Sequence, residues 1–415
     1  MTDEFQLGLD FARSLDARDP LARFRDRFAV LPGRVYLQAN GLGLASRDAE
    51  ASVVAALEAW KRRAHRGWEE GEQPWLTTAE RVGALEAGLI GAAGDEVVAT
   101  GTTTQNLHVL LATFYRPARR RTKILADELN FPSDIFALQS QVTLRGLDPA
   151  EHLVLVKSRD GRMLEEDDVI AAMSDDVAVL MLPSAIYRSA QVLDVARLTR
   201  AAHERGIVAG FDLSHSIGIT PHALDRWDVD FAFWCGYKWL NGGPGAVGGV
   251  YVNRRHFGRA AGMTGWFGVA PERQFDPDLV YQQAPTARAW CLSTPHVLSA
   301  AALEGALAVF HEAGIDALRA KSLTQTRYLI FLADRLLLGP ASAWSLATPR
   351  DDRRRGGHVA LEHPDVGRLR PLTLERGLLL GFKKPDTFRL APSPLYTTYL
   401  ELWQAVSTLR EVGAR

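Results

Sequence analysis

Between residues 95 and 252, short apolar runs of strand length alternate with stretches of helical spacing. The runs cover 96–99, 122–126, 152–156, 177–182, 207–212, 231–235 and 249–252. Helical spacing covers 104–114, 134–144, 167–173 and 195–205. This alternation predicts an α/β domain built on a mainly parallel central sheet. Ahead of it, 5–28 reads as a helical arm broken at Asp19-Pro20, and 35–37 as a short strand leading into a loop, Gln38 to Gly43. Val53, Val54, Leu57 and Trp60 give 48–66 a helical stripe, and 77–90 is helical again. The polar stretch 65–74 between them reads as a loop beside Trp68 and Trp75. After residue 296 come two helices (297–311 and 315–338), short strands at 358–362, 378–381 and 387–390, and a last helix over 399–412. The expected organisation is an arm, 1–65, that joins a smaller domain; a large α/β domain, 66–295; and a small α+β C-terminal domain, 296–415.

Composition narrows the function. The chain has 415 residues, 48 Lys plus Arg against 49 Asp plus Glu, and a net charge of -1. A near-neutral chain lacks the basic field of a general nucleic-acid or anionic-membrane binder. Asp3, Glu4, Asp10 and Asp16 break up the N-terminal apolar positions, against a signal peptide. No apolar run approaches the ~18 residues of a membrane span. Two cysteines, Cys235 and Cys291, exclude a disulfide framework and a four-thiolate zinc site, and they fit a reducing, cytoplasmic setting. The 11 histidines show no zinc spacing, so no metal is expected.

The chemistry concentrates between residues 207 and 249. One apolar strand ends in Asp212, followed by Leu213-Ser214-His215. A second ends at Cys235, followed by Gly236-Tyr237-Lys238 and the glycine-rich Asn241-Gly242-Gly243-Pro244-Gly245. Ligands of open α/β sheets sit at the carboxyl ends of strands. A lysine amine at one strand end and a carboxylate at another are what pyridoxal phosphate needs: an amine for its aldehyde and a negative charge facing its ring nitrogen. Glycine lets the backbone pass close to the lysine. Gly101-Thr102-Thr103-Thr104 follows a strand and opens a helix, where free amides and the helix dipole favour a phosphate. Phe131, in Asn130-Phe131-Pro132-Ser133-Asp134, can lie against a ring. Gly243 to Gly248 matches G-x-G-x-x-G by letter, but it contains Pro244 and precedes a strand, so it is not read as a dinucleotide site.

These segments resemble the kynureninase family, within the aspartate-aminotransferase-like fold (fold type I). The likeness runs from about Tyr36 to the last helix. It is carried by Thr102 to Leu107, Asn130 to Asp134, Asp212 to Ser216, Asp230 to Gly245, Gly265-Trp266-Phe267-Gly268 and Pro394 to Thr398. The resemblance implies pyridoxal 5'-phosphate as cofactor and hydrolysis of L-kynurenine, a small amino acid, to anthranilate and L-alanine. It makes Lys238 the Schiff-base lysine, Asp212 the partner of the ring nitrogen with His215 in support, and Tyr237 a phosphate contact and proton-transfer group. Thr103 and Thr104 would hold the phosphate, with Phe131 over the ring and Asp134 nearby. Trp266 and Thr294 would reach the phosphate from a neighbouring subunit, implying a homodimer with shared sites. Arg389 would clamp the substrate carboxylate, a task suited to a planar two-donor group. Asn40 and Trp68 fall on the substrate side. Trp68 and Thr294 stand where animal enzymes that prefer 3-hydroxykynurenine carry His and Asn, which favours an unhydroxylated ring.

Four positions depart from the family pattern. Gly41 replaces a Ser and Val269 a His. Pro183 replaces a Ser or Thr near the phosphate, with Ser184 adjacent, and Gly381 replaces an Asp. Loss of substrate-side polar groups leaves open a modified kynurenine or another γ-oxo amino acid as substrate. A cofactor-binding protein without turnover is the remaining alternative.

Overall fold

The computed structural model describes residues 5–414; Asp3 and Glu4 lie outside them. Its first strand, β1 (Val35–Leu37), belongs to a smaller sheet. The next seven form the larger one: β2 (Val97–Thr100), β3 (Lys123–Asp127), β4 (Leu153–Val156), β5 (Val177–Pro183), β6 (Val208–Asp212), β7 (Phe231–Cys235) and β8 (Gly248–Val252). Their order is β2-β8-β7-β6-β5-β3-β4. Only β8 runs antiparallel to its neighbours. Pro183 pairs with Asp212, and Asp212 with Phe233. The carboxyl ends of β5, β6 and β7 therefore lie side by side.

Alternate residues of one strand point to opposite faces. Phe231 and Phe233 pack on one face with Leu107, Leu110, Phe114 and Leu138. Ala232 and Trp234 pack on the other with Leu198, Leu303 and Phe310. Helices cover both faces, which is why the strands read as unbroken apolar runs. Leu303 and Phe310 lie in helix Val297–Ala313. That helix is apolar nearly all round and is taken into the core of the large sheet, although the sequence placed it with the C-terminal segment.

The smaller sheet has the order β1-β11-β12-β10-β9, with β9 (Ser345–Leu346), β10 (Val359–Glu362), β11 (Leu378–Lys383) and β12 (Thr387–Leu390). The N-terminal strand pairs in parallel with β11, Val35 against Leu378. Leu37, Leu378, Phe388 and Leu390 pack beneath helices Ile315–Leu336 and Tyr399–Gly413 through Leu332, Leu402 and Leu409. The predicted arm is one helix, Leu9–Asp16, and a 3-10 turn, Ala22–Arg27. β11 runs two residues further than its pattern predicts, to Lys383, because Lys383 still pairs with Thr387 of β12. No single helix among the described residues is long and apolar enough to cross a membrane.

Asp230 fixes the start of β7. Its carboxylate accepts from Ala209 N (2.7 Å), His203 Nε2 (2.9 Å), His256 Nε2 (2.6 Å) and Arg255 Nη2 (2.6 Å). Burial pushes its pKa up, but these hydrogen bonds and the Arg255 charge outweigh burial and hold it well below the ordinary carboxylate range. A depressed carboxylate stabilises the fold above its unfolded pKa, and that stability is lost as pH falls through the folded value. Asp230→Ala is expected to cost about 1–3 kcal/mol, since it leaves the buried Ala209 amide without its acceptor and the half-exposed Arg255 without its anion. Urea unfolding at pH 7 checks the loss. Repeating it at pH 4 and below checks that the gap between wild type and variant closes in acid.

Candidate active site

Lys238 sits on a closed loop after β7. Gly242 N donates to Gly236 O at 2.9 Å. A Cβ on Gly242 would lie 2.8 Å from that same oxygen, so the closure needs glycine. The loop after β1 packs onto this segment: Gly43 N donates to Tyr237 O at 2.9 Å. A Cβ on Gly43 would stand 2.6 Å from Lys238 O. Lys238 Nζ lies 3.0 Å from His215 Nε2, and 5.9 Å from the ring centroids of both Phe131 and Tyr237. These residues line a cavity of about 220 Å³ together with Asp212, Asp134, Ser214 and the Thr102-Thr103-Thr104 run.

The charges in the cavity are set by burial. Asp212 is buried, with Oδ1 accepting from Ser214 N at 2.8 Å. Burial raises its pKa and the nearby Lys238 charge lowers it, for a net rise. Asp134 is raised further, first by burial and then by the Asp212 charge. Two adjacent carboxyls do not both ionise easily, and of the two Asp134 is pushed further toward its protonated form. His215 is driven well below its usual pKa, by burial and then by Lys238. Its imidazole is neutral, and its Nδ1 is buried with no partner. Burial, then the Cys235 thiol, raises Tyr237, which therefore stays a phenol.

Two helices begin at this cavity, Thr103–Phe114 and Pro132–Leu144. Thr102 caps the first, its amide and hydroxyl both donating to Gln105 Oε1. That leaves Thr103 and Thr104 at the amide-rich end. The second begins with Pro132, whose missing N–H is harmless at a first position. Thr104 Oγ1 and Ser133 Oγ, 2.7 Å apart, join the two helix starts. Ser133 was visible in its motif but carried no predicted role.

Arg389 arrives from the smaller sheet. It is nine-tenths buried, and burial pushes its pKa down to about 10. Nη1 donates to Tyr187 O at 2.9 Å, while Nε is buried without a partner. Tyr187, which no sequence pattern singled out, stands edge-on to Phe131 with centroids 5.3 Å apart.

Comparison with known proteins places the chain in a family. The aminotransferase class-V family profile matches residues 35–350, and that of the kynureninase C-terminal domain matches residues 318–409. A protein named kynureninase from Geobacillus thermodenitrificans is 50% identical over 404 residues, covering 97% of this chain and 94% of its own. Another, from Bacillus anthracis, is 50% identical over 410 residues, covering 99% and 95%. The chain belongs to the kynureninase family. Solved structures similar in fold include the lyase C-DES with glycine covalently linked to its PLP cofactor (TM-score 0.80, 16% identity, 93% of this chain and 99% of that one). An apo cysteine desulfurase from Thermococcus onnurineus NA1 is also similar (TM-score 0.79, 17% identity, 94% and 98%). The expected fold type I, with its mainly parallel large sheet, is the fold found.

The residues of this kynureninase-family chain fit pyridoxal 5'-phosphate. The cavity offers one amine, a buried carboxyl pair, an unpartnered imidazole nitrogen, an aromatic face and a helix start rich in free donors. Other predicted residues lie apart from it. Asn40 is buried, both polar atoms of its amide unpartnered, in the loop that packs on the lysine segment. Trp266 is 48% exposed, its Nε1 donating to Gln274 O at 2.7 Å. Thr294 is exposed. Trp68 stacks edge-on against Trp75 in a separate apolar groove of about 500 Å³ with Trp60 and Leu298.

Two of the four kynureninase-family departures change meaning in three dimensions. Ser184 does not take the place of the residue lost at Pro183, because its hydroxyl faces inward, 3.1 Å from Asp212 O and 2.6 Å from Ser216 Oγ. Gly381 lies opposite Arg389 across the β11–β12 pair, where a Cβ would sit 3.2 Å from Arg389 Nε. The unpartnered Arg389 nitrogen and the missing side chain are thus one feature.

Proposed function

We propose that the chain uses pyridoxal 5'-phosphate to hydrolyse L-kynurenine between Cβ and Cγ, giving anthranilate and L-alanine. The observation that carries this reading is the 50% identity, over nearly the whole length, to proteins named kynureninase. Bound in the cavity, the cofactor would supply an electron sink for negative charge that develops at Cα and then at Cβ of the amino acid. Lys238 would hold it, and its amine would move a proton at Cα of the substrate. Neutral His215 accepts from Lys238 Nζ and keeps it aimed into the cavity. Asp212 would serve the ring nitrogen with its carboxylate, with Asp134 beside it in the cavity. Thr103, Thr104 and Ser133 hold the phosphate with hydroxyls and helix-start amides. Phe131 covers the ring face. Arg389 takes the α-carboxylate, and Asn40 gives the substrate its free amide. Water adds to the γ-carbonyl carbon, which leaves as the carboxyl carbon of anthranilate, while Cβ takes a proton and becomes the methyl of alanine. Tyr237, held as a phenol, carries a proton within the cavity. In this reading residues 66–313 build the cofactor seat and 315–415 bring Arg389, while the N-terminal segment is divided between them, strand Val35–Leu37 joining the smaller sheet and Phe24, Phe28 and Leu44 the larger core. The setting is cytoplasmic, in keeping with two buried free thiols.

The active form is a homodimer. Trp266, Thr294 and Trp68 stand away from their own chain's lysine and at or near the surface, as groups serving a neighbouring site would. Trp68 then borders the aryl ring of the substrate and favours the unhydroxylated one. Lys238→Ala and Trp266→Ala are each expected to be inactive alone. Refolded together in equal amounts, they should recover about one quarter of wild-type activity, because half the dimers carry one intact site of two. No recovery on mixing would place Trp266 outside a shared site.

The reaction itself is tested by mixing cofactor-loaded protein with L-kynurenine and following anthranilate fluorescence. Rapid release is expected. A loaded protein that releases no anthranilate overturns the proposal.

A further inference from the structure

Lys383 ends β11 beside Phe131, which lines the same cavity, and nothing above uses it. Its Nζ lies 5.5 Å from the ring centroids of both Phe131 and Tyr187. Aromatic faces attract a cation but do not neutralise it. Among the described residues the Lys383 ammonium has no hydrogen-bond or ion-pair partner. The nearby carboxylate of Asp386 is engaged by Arg188 Nη2 at 3.3 Å and by the Thr387 hydroxyl at 3.0 Å. The groups that face Lys383 from other elements are the Arg389 guanidinium, Lys238, the neutral His215 and the Tyr187 phenol. His358, behind Arg389, is also neutral: burial, then Arg389, pushes it down to about 3. None of these is an anion.

Tyr187 links the two cations. Its carbonyl anchors Arg389 and its ring carries Lys383. Gly381, on the same strand as Lys383, has no side chain to meet Arg389 across the pair, and Arg389 Nε is left buried without a partner. We propose that Lys383 is a second substrate-binding cation, which with Arg389 forms a two-cation seat for the α-carboxylate of the amino acid. Neighbouring cations with no counter-ion repel each other, and a carboxylate between them relieves that repulsion while gaining charge-assisted hydrogen bonds. The assignment rests on the reading of Arg389 as the carboxylate group.

The state of the free chain agrees. Burial, then the charges of Arg389 and Lys238, brings Lys383 down to about 8. A carboxylate favours the charged amine, so its binding is strongest below that value and weakens as pH rises through it. Arginine at this position would keep its charge throughout.

The test is calorimetric titration of the cofactor-loaded chain with L-alanine and, separately, with L-alaninamide, which lacks the carboxylate. At pH 7, Lys383→Met is expected to weaken L-alanine binding about 10-fold and to leave L-alaninamide unchanged. Lys383→Arg should restore L-alanine binding, and between pH 7 and pH 9 it should lose less L-alanine affinity than wild type. A Lys383→Met variant that weakens both ligands alike, or neither, overturns the assignment, as does failure of arginine to rescue. Anthranilate release by the wild type is measured separately, so loss of that activity with the L-alanine pattern intact would count against the reaction and not against Lys383.

Discussion

Lys238→Ala is expected to bind pyridoxal 5'-phosphate without a covalent bond and to turn over L-kynurenine at least ~10⁴-fold more slowly, the usual scale for removing the group that both bonds and moves the proton. The fold should survive, because among the described residues the Lys238 side chain makes no ion pair and its one hydrogen bond goes to His215. Borohydride reduction followed by mass analysis is the direct check. Wild type should retain the cofactor on the peptide that holds Lys238, and the variant on none. Cofactor retained on another lysine would move the assignment. Lys383 is the informative alternative, since it is the other amine near Phe131.

Asp212→Asn is expected to lower kcat by roughly 10²–10³, the effect of removing one preorganised charge from a buried site. The carboxylate stands at the carboxyl end of β6, shielded from water and fixed by the Ser214 amide. Asparagine keeps the shape and loses the charge, so cofactor binding should weaken far less than turnover. The same substitution removes the like charge that raises Asp134, whose pKa should then fall. Measuring kcat and cofactor affinity together separates the two effects. Equal losses in both would mean that Asp212 serves only to seat the cofactor.

Much of the larger sheet was legible because its strands are buried on both faces. Runs such as 177–182 and 231–235 have no polar alternation to obscure them, and the helices between them carry clear stripes. The ends were less legible. β11 extends to Lys383 through pairing with β12, and no local pattern records a partner strand. The cofactor side of the site was read from two strand ends and two helix starts, features that are local in sequence. The substrate side was read less fully, because Tyr187, Lys383 and Gly381 acquire meaning only from their neighbours.

By itself the sequence determined the order and type of the elements, the amine and carboxylate at adjoining strand ends, and the family. Apolar periodicity, helix starts and glycine placement are short-range properties, and a chain carries them wherever it folds. Tertiary structure alone decided that helix Val297–Ala313 packs into the core of the larger sheet. It also turned Ser184 inward, left Arg389 Nε open opposite Gly381, and kept Trp68, Trp266 and Thr294 away from their own chain's lysine. Those outcomes depend on strand order, cross-strand register and the packing of distant segments. Each is a contact between residues far apart in sequence, and no local spacing encodes such a contact.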